Sequence, residues 1–126
     1  MFTFSIYKRM RGVNVLVIDD KNNIQLTRGD TARFEIDIVN MIDNSAYTIA
    51  DDDILRFSVK RSTNDKDFVI HKELQGQNIV YINPDDTNSL SFGKYVYDVE
   101  VTTSNGDVYT VIPPSKFTLT PEVTWQ

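Results

Sequence analysis

Apolar and polar residues alternate with a period of two along three separate segments of the chain. In segment 31–38 the apolar positions are Ala32, Phe34, Ile36 and Ile38. Segments 55–60 and 97–102 repeat the pattern, with charged residues at most of the intervening positions. Because successive side chains of a strand point to opposite faces, the pattern predicts antiparallel strands with one buried face and one solvent-facing face.

Strands are also predicted at six further segments, which brings the number of candidates to nine. The six are 13–18, 23–28, 67–74, 78–82, 107–112 and 116–120. Some of these are expected to be halves of one bent strand. The length of 126 residues fits a single domain. We therefore predict an all-β, antiparallel, immunoglobulin-like β-sandwich of seven to nine strands over residues 13–126, with residues 1–12 as an N-terminal arm or edge strand. A small barrel is the rival architecture.

Turn residues divide the candidate strands. Asn105-Gly106 lies between two apolar segments and predicts a type I′ hairpin, in which both residues have positive φ. Gly76 indicates a second hairpin. Pro113-Pro114 interrupts the last pair of candidates, which is typical of an edge strand or of a crossing between sheets.

Aromatic residues near the middle of the chain narrow the fold further. Residues 84–90 predict at most one short helical turn, capped by Asn83. Tyr95 follows this turn and begins a strand, the position of the tyrosine corner in immunoglobulin domains. Tyr97 would then occupy an inward position that a disulfide cysteine usually fills, and Phe57 the position of the core tryptophan.

The same parts of the chain carry a family resemblance. The chain resembles small structural proteins from phages and prophages of Gram-positive bacteria and, more loosely, the N-terminal adaptor module of baseplate proteins in such phages. The similarity covers about residues 24–125, and its frame consists of Leu26–Thr31, Phe57–Lys60, Ile82–Thr87, Tyr95–Val99 and Asp107–Ile112.

The resemblance implies a non-enzymatic role in a virion tail or baseplate, through protein–protein contacts. The protein would be made in the cytoplasm of the host bacterium and end in the virion. Its partners would be other phage structural proteins or further copies of itself, as a homo-oligomer in the particle. The alternative is a β-sandwich module that binds carbohydrate or a cell surface.

Composition narrows the classes of partner and chemistry. The net charge is −5 and Lys8, Arg9 and Arg11 form the one basic cluster, so no nucleic-acid partner is expected. Val15–Ile18 is the longest aliphatic run among the first twenty residues, too short for a membrane partner. The chain has no cysteine, which removes disulfides, thiolate metal sites and cysteine nucleophiles.

No catalytic site, metal site or cofactor is predicted. His71, the only histidine, shares a strand face with Glu73, and no Gly-x-Ser-x-Gly motif supplies a nucleophile for it. Asp51–Asp53 lies in a polar segment, residues 40–53, that predicts a loop, and we expect a solvated turn there. A calcium site in such a loop is a secondary hypothesis, because consecutive aspartates cannot all ligate one ion.

Large aromatic residues near the chain ends are the candidate contact residues: Phe2, Phe4, Tyr7 and Trp125. Exposed aromatic side chains often mark contact surfaces. One hypothesis is that one or both ends dock on a neighbouring subunit by adding a strand to its sheet. The competing hypothesis is that both ends fold back on their own sandwich.

Overall fold

A computed structural model describes residues 2–8, 16–40 and 42–121, and for residues 2–8 the backbone alone. These residues form ten strands and one short helix: β1 (Phe2–Lys8), β2 (Val17–Ile18), β3 (Ile24–Thr27), β4 (Ala32–Asn40), β5 (Ala46–Tyr47), β6 (Ile54–Lys60), β7 (Ile70–Gln75), β8 (Ile79–Ile82), α1 (Pro84–Asn88), β9 (Gly93–Thr102) and β10 (Val108–Thr120). Within the described ranges, no helix is long and apolar enough to cross a membrane.

The strands form two separate sheets. The larger has the order β2-β3-β10-β9-β6-β7, and only its β3–β10 pair is parallel. In the smaller sheet β4 is central, with β1 along one side and both β5 and β8 along the other. The protein is thus an immunoglobulin-like β-sandwich, as the alternation predicted, and the two separate sheets exclude the closed small barrel.

The number of strands differs from the predicted seven to nine. The candidates at 107–112 and 116–120 are one strand, β10, whose register against β9 shifts twice between Thr110 and Ser115. Pro113-Pro114 lies within these shifts, where a missing amide donor does not break the ladder. The two-residue β5 lies in the segment predicted to be a loop, and β1 pairs with β4 of its own chain over its whole length.

Two turns differ from the predicted types. Gly106 has a φ of 87°, but Asn105 is not in the positive-φ region, so the connection is not type I′. The Gly106 amide donates to the Thr103 carbonyl oxygen and the Thr103 amide donates to the Asp107 carbonyl oxygen, both at 2.9 Å. These bonds describe a turn closed by a glycine bulge. Gly76 does not close a hairpin, because it connects β7 and β8, which belong to different sheets.

An aromatic cluster joins the two sheets at the centre of the core. The ring of Phe57 on β6 lies 5.5 Å from that of Phe34 on β4, across the sandwich, and 5.4 Å from that of Tyr97 on β9. Phe117 on β10 closes the cluster at 6.2 Å from Phe57. All four residues are buried. As predicted, aromatic packing fills the place that a disulfide and a tryptophan take in antibody domains.

The tyrosine corner is also present. Tyr95 is buried at the start of β9, and its hydroxyl donates to the carbonyl oxygen of Ser91 at 2.8 Å. The connection before it is tied to the β3–β4 turn, because the Gly29 amide donates to Oγ1 of the buried Thr87 at 2.8 Å and the Arg28 guanidinium to the Leu90 carbonyl at 3.1 Å. These bonds hold α1 against the sandwich.

The corner predicts a measurable contribution to stability. Tyr95→Phe removes one hydrogen bond from a buried ring, and we expect it to lower the free energy of unfolding by about 1 kcal/mol in urea denaturation. Tyr81→Phe is the matched control, since Tyr81 is exposed, and it should change stability by less than about 0.5 kcal/mol. Equal losses in the two variants would contradict the assignment of the corner.

Candidate functional site

The outward face of β7, β6 and β9 brings His71 and Glu73 together with polar and charged side chains of the neighbouring strands. Register pairs Ser58 with His71 on one side and with Asp98 on the other, and pairs Arg56 with Glu73 and with Glu100. An open cleft of about 280 Å³ runs over this face. We call it the outer cleft; its lining is Arg56, Ser58, Lys60, Thr63, Phe68, His71, Val96, Tyr97, Asp98, Glu100 and Pro114.

His71 forms a hydrogen-bonded row with its cross-strand neighbours. Its Nδ1 lies 2.9 Å from Ser58 Oγ, and its Nε2 lies 3.3 Å from Oε1 of Glu73. With the ring neutral and Nε2 protonated, the imidazole donates to the carboxylate and accepts from the serine hydroxyl. Hydrogen bonds from His71 and then from Arg56 lower the pKa of Glu73.

Ser58 is a hydroxyl partner for His71 that no sequence motif predicts. The pairing of the two residues depends on the register of β6 with β7, which no local motif announces. Ser58 lies in mid-strand, paired on both sides, so the amides around it serve the ladder and are not gathered to bind an oxyanion. We interpret the row as cross-strand pairing that orders this polar face.

Phe68 forms the apolar rim of the outer cleft. Half of its side-chain surface is exposed (50%). Its ring stacks on His71 with the centroids 4.4 Å apart, and Lys60 Nζ lies 5.2 Å from the ring centroid. The hydrogen-bonded row thereby fixes the position of an exposed aromatic residue, which is the kind of side chain that anchors protein contacts.

The outer cleft carries two adjacent stripes of opposite charge. On β6 the outward residues Arg56 and Lys60 flank Ser58, and we call these the basic stripe; on β9 the outward residues Asp98 and Glu100 form the acidic stripe. Arg56 donates to Glu73 at 3.2 Å and to Thr102 at 2.7 Å rather than to Glu100. Among the residues that the structure describes, no ion pair within 4 Å includes Asp98 or Glu100.

The environment of Asp98 reflects this lack of compensation. Its partial burial, and next the charge of Glu100, raise the pKa of the Asp98 carboxyl, while Lys60 acts weakly in the opposite direction. Ionisation of this half-buried carboxyl lowers the stability of the fold, because Glu100 is close and negative and Lys60 offsets it only weakly. The acidic stripe is therefore a place where a positive group from outside would be favoured.

The acidic clusters of the sequence have structural partners. Asp53 is buried (2% exposed), which corrects the expectation that all of Asp51–Asp53 lies in a solvated turn. It accepts hydrogen bonds from the Tyr47 hydroxyl and, at 2.9 Å, from the Ala50 amide. Burial, and then this carboxylate, raise the pKa of Tyr47 to about 12.

Two further pairs of consecutive aspartates, Asp19-Asp20 and Asp85-Asp86, each have one member held by hydrogen bonds. Asp19 accepts from the amides of Lys21 and Asn23, each at 2.9 Å, and the bond from Asn23 is the main cause that lowers its pKa. Asp86 pairs with Lys72 at 2.7 Å and accepts from the Asn83 amide at 2.7 Å. Over residues 16–40 and 42–121, His, Asp and Glu side chains form no group of three that could hold a metal ion.

The structure describes no side chain of the four predicted contact residues near the chain ends. Phe2, Phe4 and Tyr7 belong to β1, whose backbone alone is described, and it pairs with β4 at positions 40, 38 and 35. Trp125 lies outside the described residues. The docking of either end on a neighbour remains a prediction.

The matches of this chain to known proteins lie among solved structures. No family model and no curated protein matches it. Among solved structures, the crystal structure of CopC from Methylosinus trichosporium OB3b is similar over 81% of this chain and 87% of that chain, with 13% identity and a TM-score of 0.43. A likeness of this size carries no argument about function.

The Asp53 contacts predict a loss of stability on truncation. Asp53→Ala leaves the Tyr47 hydroxyl and the Ala50 amide without their acceptor, so we expect the free energy of unfolding to fall by about 1–3 kcal/mol. Asp52 is the exposed neighbour and serves as the control. Asp52→Ala should change the free energy of unfolding by less than about 0.5 kcal/mol. Urea denaturation of both variants checks this; an unaffected Asp53→Ala protein would show that the contacts do not hold the loop.

The raised pKa of Asp98 predicts a pH-dependent gain on neutralisation. The folded state binds the proton of the Asp98 carboxyl more tightly than the unfolded chain does, in which the pKa of this group is near 3.8. Stability is therefore lost as the pH rises through the folded pKa and stays lower above it. Asp98→Asn should melt at a higher temperature than the parent at pH 7, and at the same temperature below about pH 3.8.

Thermal melting at low protein concentration gives the melting temperatures of the parent and of Asp98→Asn from below pH 3.8 to pH 7. Asp52→Asn changes the same charge at an exposed position and serves as the control. A gain for Asp98→Asn that persists at the lowest pH would show that the effect comes from packing and not from ionisation.

Proposed function

We propose that the protein is a non-enzymatic adaptor or structural subunit of a phage tail or baseplate that works through protein–protein contacts. The observation that carries the proposal is the outer cleft, where an exposed aromatic rim borders two charge stripes. Apolar anchors surrounded by polar and charged groups are the usual composition of protein interfaces. The uncompensated acidic stripe adds specificity, because a partner must bring positive charge to it.

The phage assignment draws on the sequence frame, and the frame residues have structural roles that support it. Arg28, Gly29 and Thr87 tie the β3–β4 turn to α1. Tyr95 forms the corner and Phe57 the centre of the core. The likeness thus concerns a scaffold whose outer surfaces are left for contacts, which suits a particle subunit.

The carbohydrate-binding alternative receives less support from the exposed aromatic residues. The rings of Phe68, Tyr81 and Phe92 each lie near a cation of the same chain, at 5.2 Å from Lys60, 4.9 Å from Arg33 and 4.1 Å from Arg28. A sugar that stacks on a ring would have to displace that cation, which costs about 0.5–1 kcal/mol at an exposed site.

Particle fractionation tests the proposal. After phage induction in the bacterium that encodes this chain, we expect the protein to sediment with purified virions in a fixed ratio to known tail proteins. Its absence from particles that assemble normally would contradict the proposal. A glycan array supplies the second readout: no sugar should be bound, and a specific glycan signal that is lost in Phe68→Ala would favour the alternative.

A further inference from the structure

The basic stripe and the acidic stripe of the outer cleft lie on adjacent strands and are aligned row by row. β6 and β9 are adjacent and antiparallel, and their register places Arg56 beside Glu100 and Ser58 beside Asp98. The basic stripe and the acidic stripe therefore run side by side, at the same height along the sheet. Their separation is one strand spacing, about 4.8 Å.

A two-fold axis parallel to the strands, midway between β6 and β9 and in front of the face, exchanges the two stripes. A second copy placed by this axis lays its β9 over β6 of the first copy and its β6 over β9. Because the rows keep their height, Arg56 of each copy then faces Glu100 of the other, and Ser58 faces Asp98. The face is complementary to itself, which is the requirement of an isologous dimer.

The rims of the cleft agree with the same operation. Phe68 and Pro114 both line the outer cleft. Phe68 precedes β7 on the outer side of β6, and Pro114 belongs to β10 on the outer side of β9. The axis exchanges these two sides, so the exposed ring of one copy meets the proline of its partner. Each interface would have apolar contacts at both margins and charge pairs at the centre.

We propose that the outer cleft is a symmetric interface between two copies of this chain, held by reciprocal contacts of the basic stripe with the acidic stripe. The inference rests on the proposed function, since it names one partner for the surface that makes the contacts. A second copy is the occupant that the charges favour: it places Arg56 over Glu100 in both directions, and it brings Arg56 and Lys60 to the rows on either side of Asp98.

A second copy also satisfies the group that folding leaves uncompensated. Asp98 is half-buried in the single chain, with Glu100 beside it, and the second copy brings Arg56 and Lys60 to the rows on either side of it. The contact needs no rearrangement of the backbone, because both stripes lie in mid-strand. The face is small and charged, so we expect an affinity in the micromolar range that weakens as salt is added.

Sedimentation equilibrium of the purified chain tests the proposal. The parent should self-associate, and Arg56→Glu and Glu100→Arg should each weaken the association roughly tenfold or more, since each creates two like-charge contacts per dimer. Lys21→Glu and Asp52→Arg change the net charge by the same amounts at exposed loop positions and should leave it unchanged. Circular dichroism and thermal melting establish that every variant is folded.

The double variant R56E/E100R provides the decisive comparison. Two-fold symmetry makes residue 56 of each copy face residue 100 of the other, so reversing both in one chain should restore self-association to within a few-fold of the parent. Mixing the two single variants should likewise give a heterodimer that is tighter than either homodimer. A generic effect of charge on solubility would produce neither form of rescue.

Three results would overturn the proposal: a parent that stays monomeric at every concentration, single variants that associate as the parent does, or a double variant that is not restored. The outcome is separable from that of the proposed function. A monomeric chain that still sediments with virions would remove the symmetric interface and leave the particle role. A dimer that is rescued as described, but absent from virions, would do the opposite.

Discussion

The contact of Phe57 with Phe34 across the sandwich is the interaction on which the rest of the structure depends. The chain has no cysteine, so no disulfide joins the two sheets, and the packing of the core is the main contact between them. The Phe57 ring contacts Phe34 in the opposite sheet. In its own sheet it contacts Tyr97 on the adjacent strand β9 and Phe117 on the next strand, β10. Rings packed edge to face add to the hydrophobic contribution of burial, and they fix the distance between the sheets.

This inward packing also determines what the outer surface can do. Since side chains of a strand alternate, the burial of Leu55, Phe57 and Val59 obliges Arg56, Ser58 and Lys60 to point outward. The same holds for Asp98 and Glu100 between the buried positions of β9. The charge stripes are thus the second face of the pattern that makes the core, and the pairing of β6 with β9 places them side by side.

The parts of the fold that depend on local pattern could be predicted from the sequence. The alternation in β4, β6 and β9 gave the sandwich, and the spacing of Tyr95 after a helical turn gave the corner. Non-local pairing could not be predicted. The sequence does not show that Gly76 connects two different sheets, or that β5 pairs with β4, because both depend on where the chain lies after folding and not on the residues at the turn.

The same limit applies to the candidate site. His71 and Glu73 could be placed on one face because they are two residues apart. Ser58 and Asp98 joined them only through the registers of β6 with β7 and β9. Asp53 was misplaced for a related reason: three consecutive aspartates look alike in a sequence, yet only the third follows the turn into the position where Tyr47 and Ala50 can donate to it.

The position of β10 has a consequence for biosynthesis. The last described strand is not at a margin but lies between β3 and β9, and it makes the parallel pair with the early strand β3. The larger sheet is therefore split into two pieces until residues 108–120 have left the ribosome. Contacts of such high sequence separation form late and slowly, so the edge of β3 that β10 will cover stays open while residues 28–107 are made. Such edges pair readily with foreign strands, so a chaperone that shields this edge would matter most until residues 108–120 have emerged.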